Sequence, residues 1–365
     1  MDTILILLIG TVVLLGGLII YAFARFYRLP SAIFLIMFGM AIRQLDYVSV
    51  PEQNVKQFSE IILAFAVFVL FSRISFRNRD TIADRATLLG VSSSTIIILC
   101  TVIAGYFLFK GSGIEALLFL SLILISTEFF ETHAKDRISH VTYKESSIVT
   151  PLAILAAYIT YTILSNSSGA PFGGPLAYLL KQVVIGVGVG LISGLLLFRI
   201  MSLYYAKTIS YALLITGLAS AYALSLQLGG SGVIASAALG AMFSLMRVRK
   251  KEVLYANNSS AMEITGVLIF VLSGLSLPVY GESLLPAVIL LCLYYACRWI
   301  TINLLLSQQY SASDRAVAAF GAPKGIAAAA LLTVAYDSSL ATQTAFITII
   351  ASLAISLLVD LSRRR

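Results

Sequence analysis

The strongest constraint on this chain is a succession of apolar stretches, most of them about 20 residues long, the length of helix that crosses the hydrocarbon core of a bilayer. They fall near 3–24, 30–43, 57–72, 86–109, 114–134, 143–165, 176–198, 208–227, 231–246, 261–279, 284–307, 314–336 and 341–360, separated by charged or Gly/Pro/Ser-rich breaks. Hydrocarbon offers no partner to an unpaired peptide group, so such stretches fold as helices that satisfy their own backbone. The composition agrees. The chain is 59% hydrophobic and 12% charged, against about 50% apolar and about 25% charged in soluble globular domains. The expected fold is an all-α polytopic membrane protein with about 13 transmembrane helices. No interval between stretches is long enough to bury a separate core, so residues 1–365 are expected to form a single integral-membrane unit. The first stretch has no basic residue ahead of it and no small-residue cleavage site, which marks a retained span and not a signal peptide. The stretches at 30–43 and 231–246 are short and contain glycine, which suits packing against neighbouring helices.

The intervals alternate in basic content. One set carries Arg25, Arg73, Arg85, Lys144, Arg199, Lys250 and the arginines at 363–365 among others, whereas the other has only Arg43, Lys56, Lys110 and Lys181. By the positive-inside rule this predicts an N-terminus outside the cell membrane and a C-terminus in the cytoplasm, which requires an odd number of crossings. The same distribution assigns the formal charge of +8 to cytoplasmic loops and argues against nucleic acid as a partner. Cys100, Cys292 and Cys297 lie inside apolar stretches without paired spacing, so neither a disulfide framework nor a zinc site is expected. No phosphate loop, metal-ligand cluster or nucleophile set is present, so the sequence points away from an enzyme and implies no cofactor.

Ionisable residues inside spans are costly and mark function. Of the 25 basic residues only Arg298 and Lys324 lie deep inside apolar stretches, away from their ends, and Glu128, Glu131 and Glu145 are the acids beside them. Glu128 follows Ser126-Thr127 in the fifth stretch, and Lys324 lies in Gly321-Ala322-Pro323-Lys324-Gly325 in the twelfth. Counted from the cytoplasmic ends at 134 and 314, Glu128 is six residues deep and Lys324 ten, or about 9 and 15 Å at 1.5 Å per residue. Two interrupted helices, each broken well inside its span, in the two halves of a chain point to a midplane binding site.

These residues, in this order, resemble the monovalent cation:proton antiporter superfamily, which includes the sodium/proton exchangers. Members carry Thr-Asp-Pro at the break of the fifth span, where this chain reads Thr127-Glu128-Phe129. Glu145-Ser146 resembles the Glu-Ser of the sixth span, and Arg298 falls where the family has an arginine pairing with that glutamate. GVGVGLISGLLL at 186–197, GGSGVIASAALGAMF at 229–243 and FVLSGLSL at 270–277 resemble further marked stretches, and 321–327 matches the second broken helix, with Lys324 where arginine is usual. The departure is in the sixth span. The family's Asn-Asp, whose second residue carries cation and proton in turn, is replaced here by Val149-Thr150.

The resemblance implies inverted repeats with two broken helices crossing near the midplane, a homodimer, scaffold spans at about 1–73 and 176–279, and transport-core spans at about 86–165 and 284–360. It implies exchange of Na+ or K+ for a proton by alternating access. Threonine cannot carry a proton at physiological pH, so Glu128 is the expected carrier, with Thr127, Ser126, Ser146 and Thr150 able to supply neutral oxygens to the ion. Glu131 is either a second ligand, an entrance acid or a residue of the cavity wall. Glu145 and Arg298 are read as a structural ion pair. Lys324 either compensates the end charges of the broken helices or occupies Glu128 until a cation displaces it. Gly321, Pro323 and Gly325 are the broken-helix positions. His133 and His140 are ordinary loop residues or pH sensors. Two alternatives stay open: altered coupling or another substrate, such as an anion or small metabolite, and a transport-inactive sensor or assembly subunit.

Overall fold

The structure is a computed structural model that describes residues 3–27, 29, 31–44, 52–74, 81–110, 112–128, 137–166, 174–203, 207–246, 251–276, 281–321, 324–335 and 339–363. Within them the chain is all helical, with no strand. In order the helices are α1 (Thr3–Phe26), α2 (Ser31–Gln44), α3 (Glu52–Ser72), α4 (Thr81–Leu108), α5 (Ile114–Ile125), α6 (Arg137–Asn166) and α7 (Gly174–Leu203). They continue with α8 (Lys207–Gln227), α9 (Gly232–Leu245), α10 (Lys251–Ser276), α11 (Leu284–Leu306), α12 (Ala312–Phe320), α13 (Ile326–Val334) and α14 (Leu340–Arg363). Among the described residues, seven helices are long and apolar enough to cross a membrane, and several shorter ones are equally apolar.

Each apolar stretch of the sequence coincides with a helix, or with two short helices at the break around 321–325. The boundaries differ in both directions: α5 stops at Ile125, inside the stretch at 114–134, whereas other helices start early. Helices α3, α6 and α10 begin at Glu52, Arg137 and Lys251, five to ten residues ahead of the apolar runs at 57, 143 and 261. Hydropathy marks where lipid begins, whereas a helix continues for as long as its backbone bonds do, so polar residues such as Glu60 and the buried Asn258 ride on helical turns near span ends.

Close helix approach needs small side chains at the crossing. Gly39 of α2 and Gly274 of α10 face each other's helices, so that a Cβ on Gly39 would run into the carbonyl of Val271 and one on Gly274 into that of Ile36. Helix α9 packs against α3, α7 and α8. Helix α13, IAAAALLTV, is buried on every side, with all nine residues withdrawn from the surface. Four consecutive alanines let it sit in the middle of the bundle against α3, α10, α14 and α6. Helix α6 runs unbroken through Pro151 although proline gives up one intrahelical bond. The residue before it, Thr150, turns its hydroxyl to the break after α5.

Candidate functional site

Helix α5 stops at Ile125 because Ser126 takes an extended conformation (φ −65°, ψ 112°). Its hydroxyl folds back and donates to the carbonyl of Ile123 at 2.6 Å. Thr127 and Glu128 leave the helix and are buried, Glu128 at 4% exposure. The hydroxyl of Thr150 holds this segment in place by donating to the carbonyl of Thr127 and accepting from its N–H at 3.2 Å. Where the family's pattern has an acid, this chain has a backbone clamp.

The second break follows α12, which ends at Phe320 with Gly321 as its cap, and α13 begins after Gly325. The Glu128 carboxylate crosses to that second break. Its Oε2 accepts from the N–H of Ile326 at 3.0 Å and its Oε1 from the N–H of Ala327 at 2.8 Å. A carboxylate there satisfies two of the unpaired donors at a helix N-terminus and meets the positive end of the helix dipole. Gly325 is extended (φ −100°, ψ −171°), which any residue tolerates, yet a Cβ there would fall inside the Glu128 carboxyl. Glycine is required at 325 by space.

Lys324 is fully buried and points the other way. Its Nζ donates to the carbonyl of Leu124, in the last turn of α5, and lies 3.5 Å from the ring centroid of Tyr294 on α11. Its backbone N–H donates to Ser352 of α14 at 3.3 Å. The direct Lys324–Glu128 ion pair that is one expectation from the sequence is not formed. The two breaks come together, but each charge finds a helix end of opposite sign, where unpaired peptide groups outnumber competing side chains.

A second buried pair stands beside this crossing. Arg298 of α11 and Glu145 of α6 form a two-pronged ion pair at 3.0 and 2.9 Å, both side chains nearly inaccessible. Ser93 of α4 donates to the same carboxylate at 3.4 Å. The Arg298 Nε donates to the carbonyl of Ala318 at 3.2 Å, in the last turn of α12. Both half-helices that end at a break, α5 and α12, therefore have a cation at their C-termini, the end at which cations are favoured.

The remaining candidates are more loosely placed. Ser146 is buried and donates to the carbonyl of Tyr143 at 3.2 Å, within its own helix. Ser356 of α14 donates to the carbonyl of Gly321 at 3.1 Å. Glu131, Pro323, Phe129 and His133 lie outside the described residues. His140 is exposed. Among the described residues no group of histidine, cysteine and acidic side chains could hold a metal ion. Three contributors were not singled out from the sequence: Tyr294 under Lys324, Ser93 on Glu145, and Glu60, which accepts from the Tyr158 hydroxyl at 2.9 Å. Only Glu60 carried a signal, as the one charged residue in the apolar run at 57–72.

Residues 10–361 match the family described as sodium/hydrogen exchanger, transmembrane. The chain belongs to this family. Among solved structures it is similar to the sodium proton antiporter MjNhaP1 from Methanocaldococcus jannaschii at pH 8, with a TM-score of 0.70, 18% identity and 98% of each chain covered. An electron-microscopy structure of the same antiporter gives a TM-score of 0.65 at 17% identity, covering 99% of this chain and 96% of that one. At that identity the likeness speaks for the fold. A search of curated proteins returned no match. The protein is thus an integral membrane protein with the family and fold of transporters, and its membership of the sodium/hydrogen exchangers supports cation/proton antiport.

Proposed function

We propose that this sodium/hydrogen exchanger family member exchanges Na+ or K+ for a proton by alternating access, with Glu128 as the group that carries cation and proton in turn. The single observation that carries this reading is the position of Glu128: a buried carboxylate at the break after α5, bound to two peptide N–H groups and to no cationic side chain among the described residues. A carboxylate bound only by neutral donors keeps lone pairs for a proton or a partly dehydrated monovalent ion. Thr127, Ser126, Ser146 and Thr150 are the nearby oxygens suited to complete the shell. Glu131 belongs to the same proposal, as a second ligand, an entrance acid or a residue of the cavity wall.

In this scheme a core of residues about 86–165 and 284–360 moves against a scaffold of about 1–73 and 176–279, which also supplies a homodimer interface. Glu145 with Arg298 braces the core, and Lys324 offsets the negative end of α5. The N-terminus faces outside and the C-terminus the cytoplasm of the cell membrane, as the loop charges favour. The deciding experiment is a proteoliposome assay of internal pH under imposed Na+, K+ or Li+ gradients, with parent and Glu128→Gln protein. The parent should couple one or more of these ions to proton movement, and Glu128→Gln should abolish coupling while still folding. Unchanged exchange by Glu128→Gln overturns the assignment.

A further inference from the structure

A second carboxylate stands at the opposite end of α13 from Glu128. A cavity of about 430 Å³ is lined by Gln53, Lys56, Gln57 and Glu60 of α3, Tyr161 of α6 and Val334, the last residue of α13. Ile326 and Val334 are separated by about 12 Å at 1.5 Å per residue. Glu128 therefore caps one end of this buried half-helix, and Glu60 faces a polar cavity at the other.

Glu60 is held in a fixed pose. Tyr158 donates to its Oε1 at 2.9 Å, and Ser231, at the start of α9, donates in turn to the Tyr158 hydroxyl at 3.3 Å. Among the described residues no ion pair engages Glu60, and no hydrogen bond reaches its Oε2. A carboxylate in an apolar run, oriented through one oxygen and lining a cavity, has the form of a cation ligand. The amide oxygens of Gln53 and Gln57 and the hydroxyl of Tyr161 are hard neutral donors of the type that monovalent ions accept. The C-terminus of α13 adds the negative end of a helix dipole. Lys56, one turn from Glu60, lines the same space. Its charge balances that of the carboxylate, so the cavity favours a singly charged ion over a divalent one and holds it weakly.

We infer that this cavity is a second monovalent-cation site, an entry station on the outer access path, with Glu60 as its ligand and Tyr158 as the residue that positions it. The inference rests on the antiport reading for its place in transport, but cation binding at Glu60 is independent of whether Glu128 is the carrier.

Binding of radiolabelled Na+ and Rb+ to the purified full-length protein, followed by scintillation proximity, separates the two. Glu128→Gln should retain a displaceable cation signal that the added substitution Glu60→Gln removes, with a monodisperse elution profile confirming the fold of each variant. Loss of all specific signal in Glu128→Gln alone, or its survival in the double variant, overturns the second site. Loss of the whole signal in Glu60→Gln alone would instead leave the Glu60 site standing and remove the Glu128 assignment. In membrane vesicles, Glu60→Gln should raise the half-saturating cation concentration roughly threefold in right-side-out vesicles and leave it unchanged in everted ones. Equal shifts in both orientations, or none in either, overturn the placement on the outer path. If Glu60→Gln does not fold, Tyr158→Phe serves as the second variant: it keeps the carboxylate, frees its pose and should give a smaller shift of the same sidedness.

Discussion

Glu128 and Lys324 exchange helix ends. The carboxylate of Glu128 binds the N–H groups of Ile326 and Ala327, two and three residues beyond Lys324, and the ammonium of Lys324 binds the carbonyl of Leu124, four residues before Glu128. Each broken segment thus carries the charge that terminates the other. Neither charge neutralises its opposite directly, and both are placed by peptide groups that hydrocarbon would otherwise leave unpaired. The arrangement ties stability to the site, because any ion or proton that reaches Glu128 also acts on the cap of α13.

Glu128→Gln tests that link. The amide can accept one of the two N–H bonds but presents its own donors to the other, which should lower stability by about 1–3 kcal/mol. Thermal unfolding in detergent should show the drop, and exchange should fall to the level of protein-free vesicles. Full stability with full exchange would remove Glu128 from both roles.

Gly325→Ala asks whether space or backbone freedom sets the residue at 325. The backbone there is extended, so alanine brings no torsional strain, and the penalty comes from the collision with the Glu128 carboxyl. Overpacking of this kind costs about 1–3 kcal/mol. Glu128→Asp withdraws the carboxyl by one methylene, so the double variant Glu128→Asp with Gly325→Ala should be more stable than the sum of the single losses. Additive losses in the melting curves would show that the two residues do not compete for the same volume.

The all-helical fold was legible because lipid imposes a simple rule: a run of apolar residues long enough to span is a helix. The two breaks were legible for the same reason, since Glu128 and Lys324 interrupt runs that have no other cause for charge. The partners of those charges were not. Sequence shows side chains, and opposite charges inside two broken spans suggest a pair, whereas Glu128 and Lys324 both end on peptide groups whose availability depends on where a helix stops. Thr150 shows the same limit. As a letter it marks a missing acid, and only the fold reveals its clamp on Thr127. Glu60 was passed over because one acid near the start of a span resembles an ordinary end residue until the cavity around it is seen.

Thr150→Val removes the clamp while keeping the shape. The N–H and carbonyl of Thr127 both lose their buried partner, at a cost of about 1–3 kcal/mol for an unsatisfied group. Thr150→Ser keeps the hydroxyl and should stay near the parent. A loss in exchange for Thr150→Val larger than its loss in stability would place the clamp in the alignment of Glu128; equal behaviour of the two variants would show that the hydroxyl does nothing there.

Glu145 and Arg298 should behave as a unit. Removing either leaves the other charge buried, which costs about 3–5 kcal/mol, whereas replacing both by apolar residues of similar size is often neutral. Glu145→Leu and Arg298→Met are each expected to reduce the yield of folded protein sharply, and the double variant to recover much of it. Recovery will be partial, because Ala318 at the end of α12 also loses the Arg298 Nε–H. A double variant as poor as the worse single one would mean that the cap on α12, and not the ion pair, carries the stability.

Lys324 separates the two roles left open for it by sequence. If the ammonium serves chiefly to terminate α5, Lys324→Met strands the carbonyl of Leu124 and lowers stability by about 1–3 kcal/mol. It also removes a positive charge beside Gly325, whose Cβ position touches the Glu128 carboxyl. At an effective dielectric near 20, loss of such a neighbour is worth about 1 kcal/mol or more, so the half-saturating cation concentration for exchange should fall about fivefold. Lys324→Arg keeps the charge and can still stack on Tyr294, so it should hold the parent's affinity even where the bulkier head disturbs packing. The informative result is the sign. A less stable protein that takes up its cation more readily agrees with a fixed charge at the end of α5, whereas a rise in the half-saturating concentration would mean that Lys324 helps to build the cation site and would overturn the role given to it here.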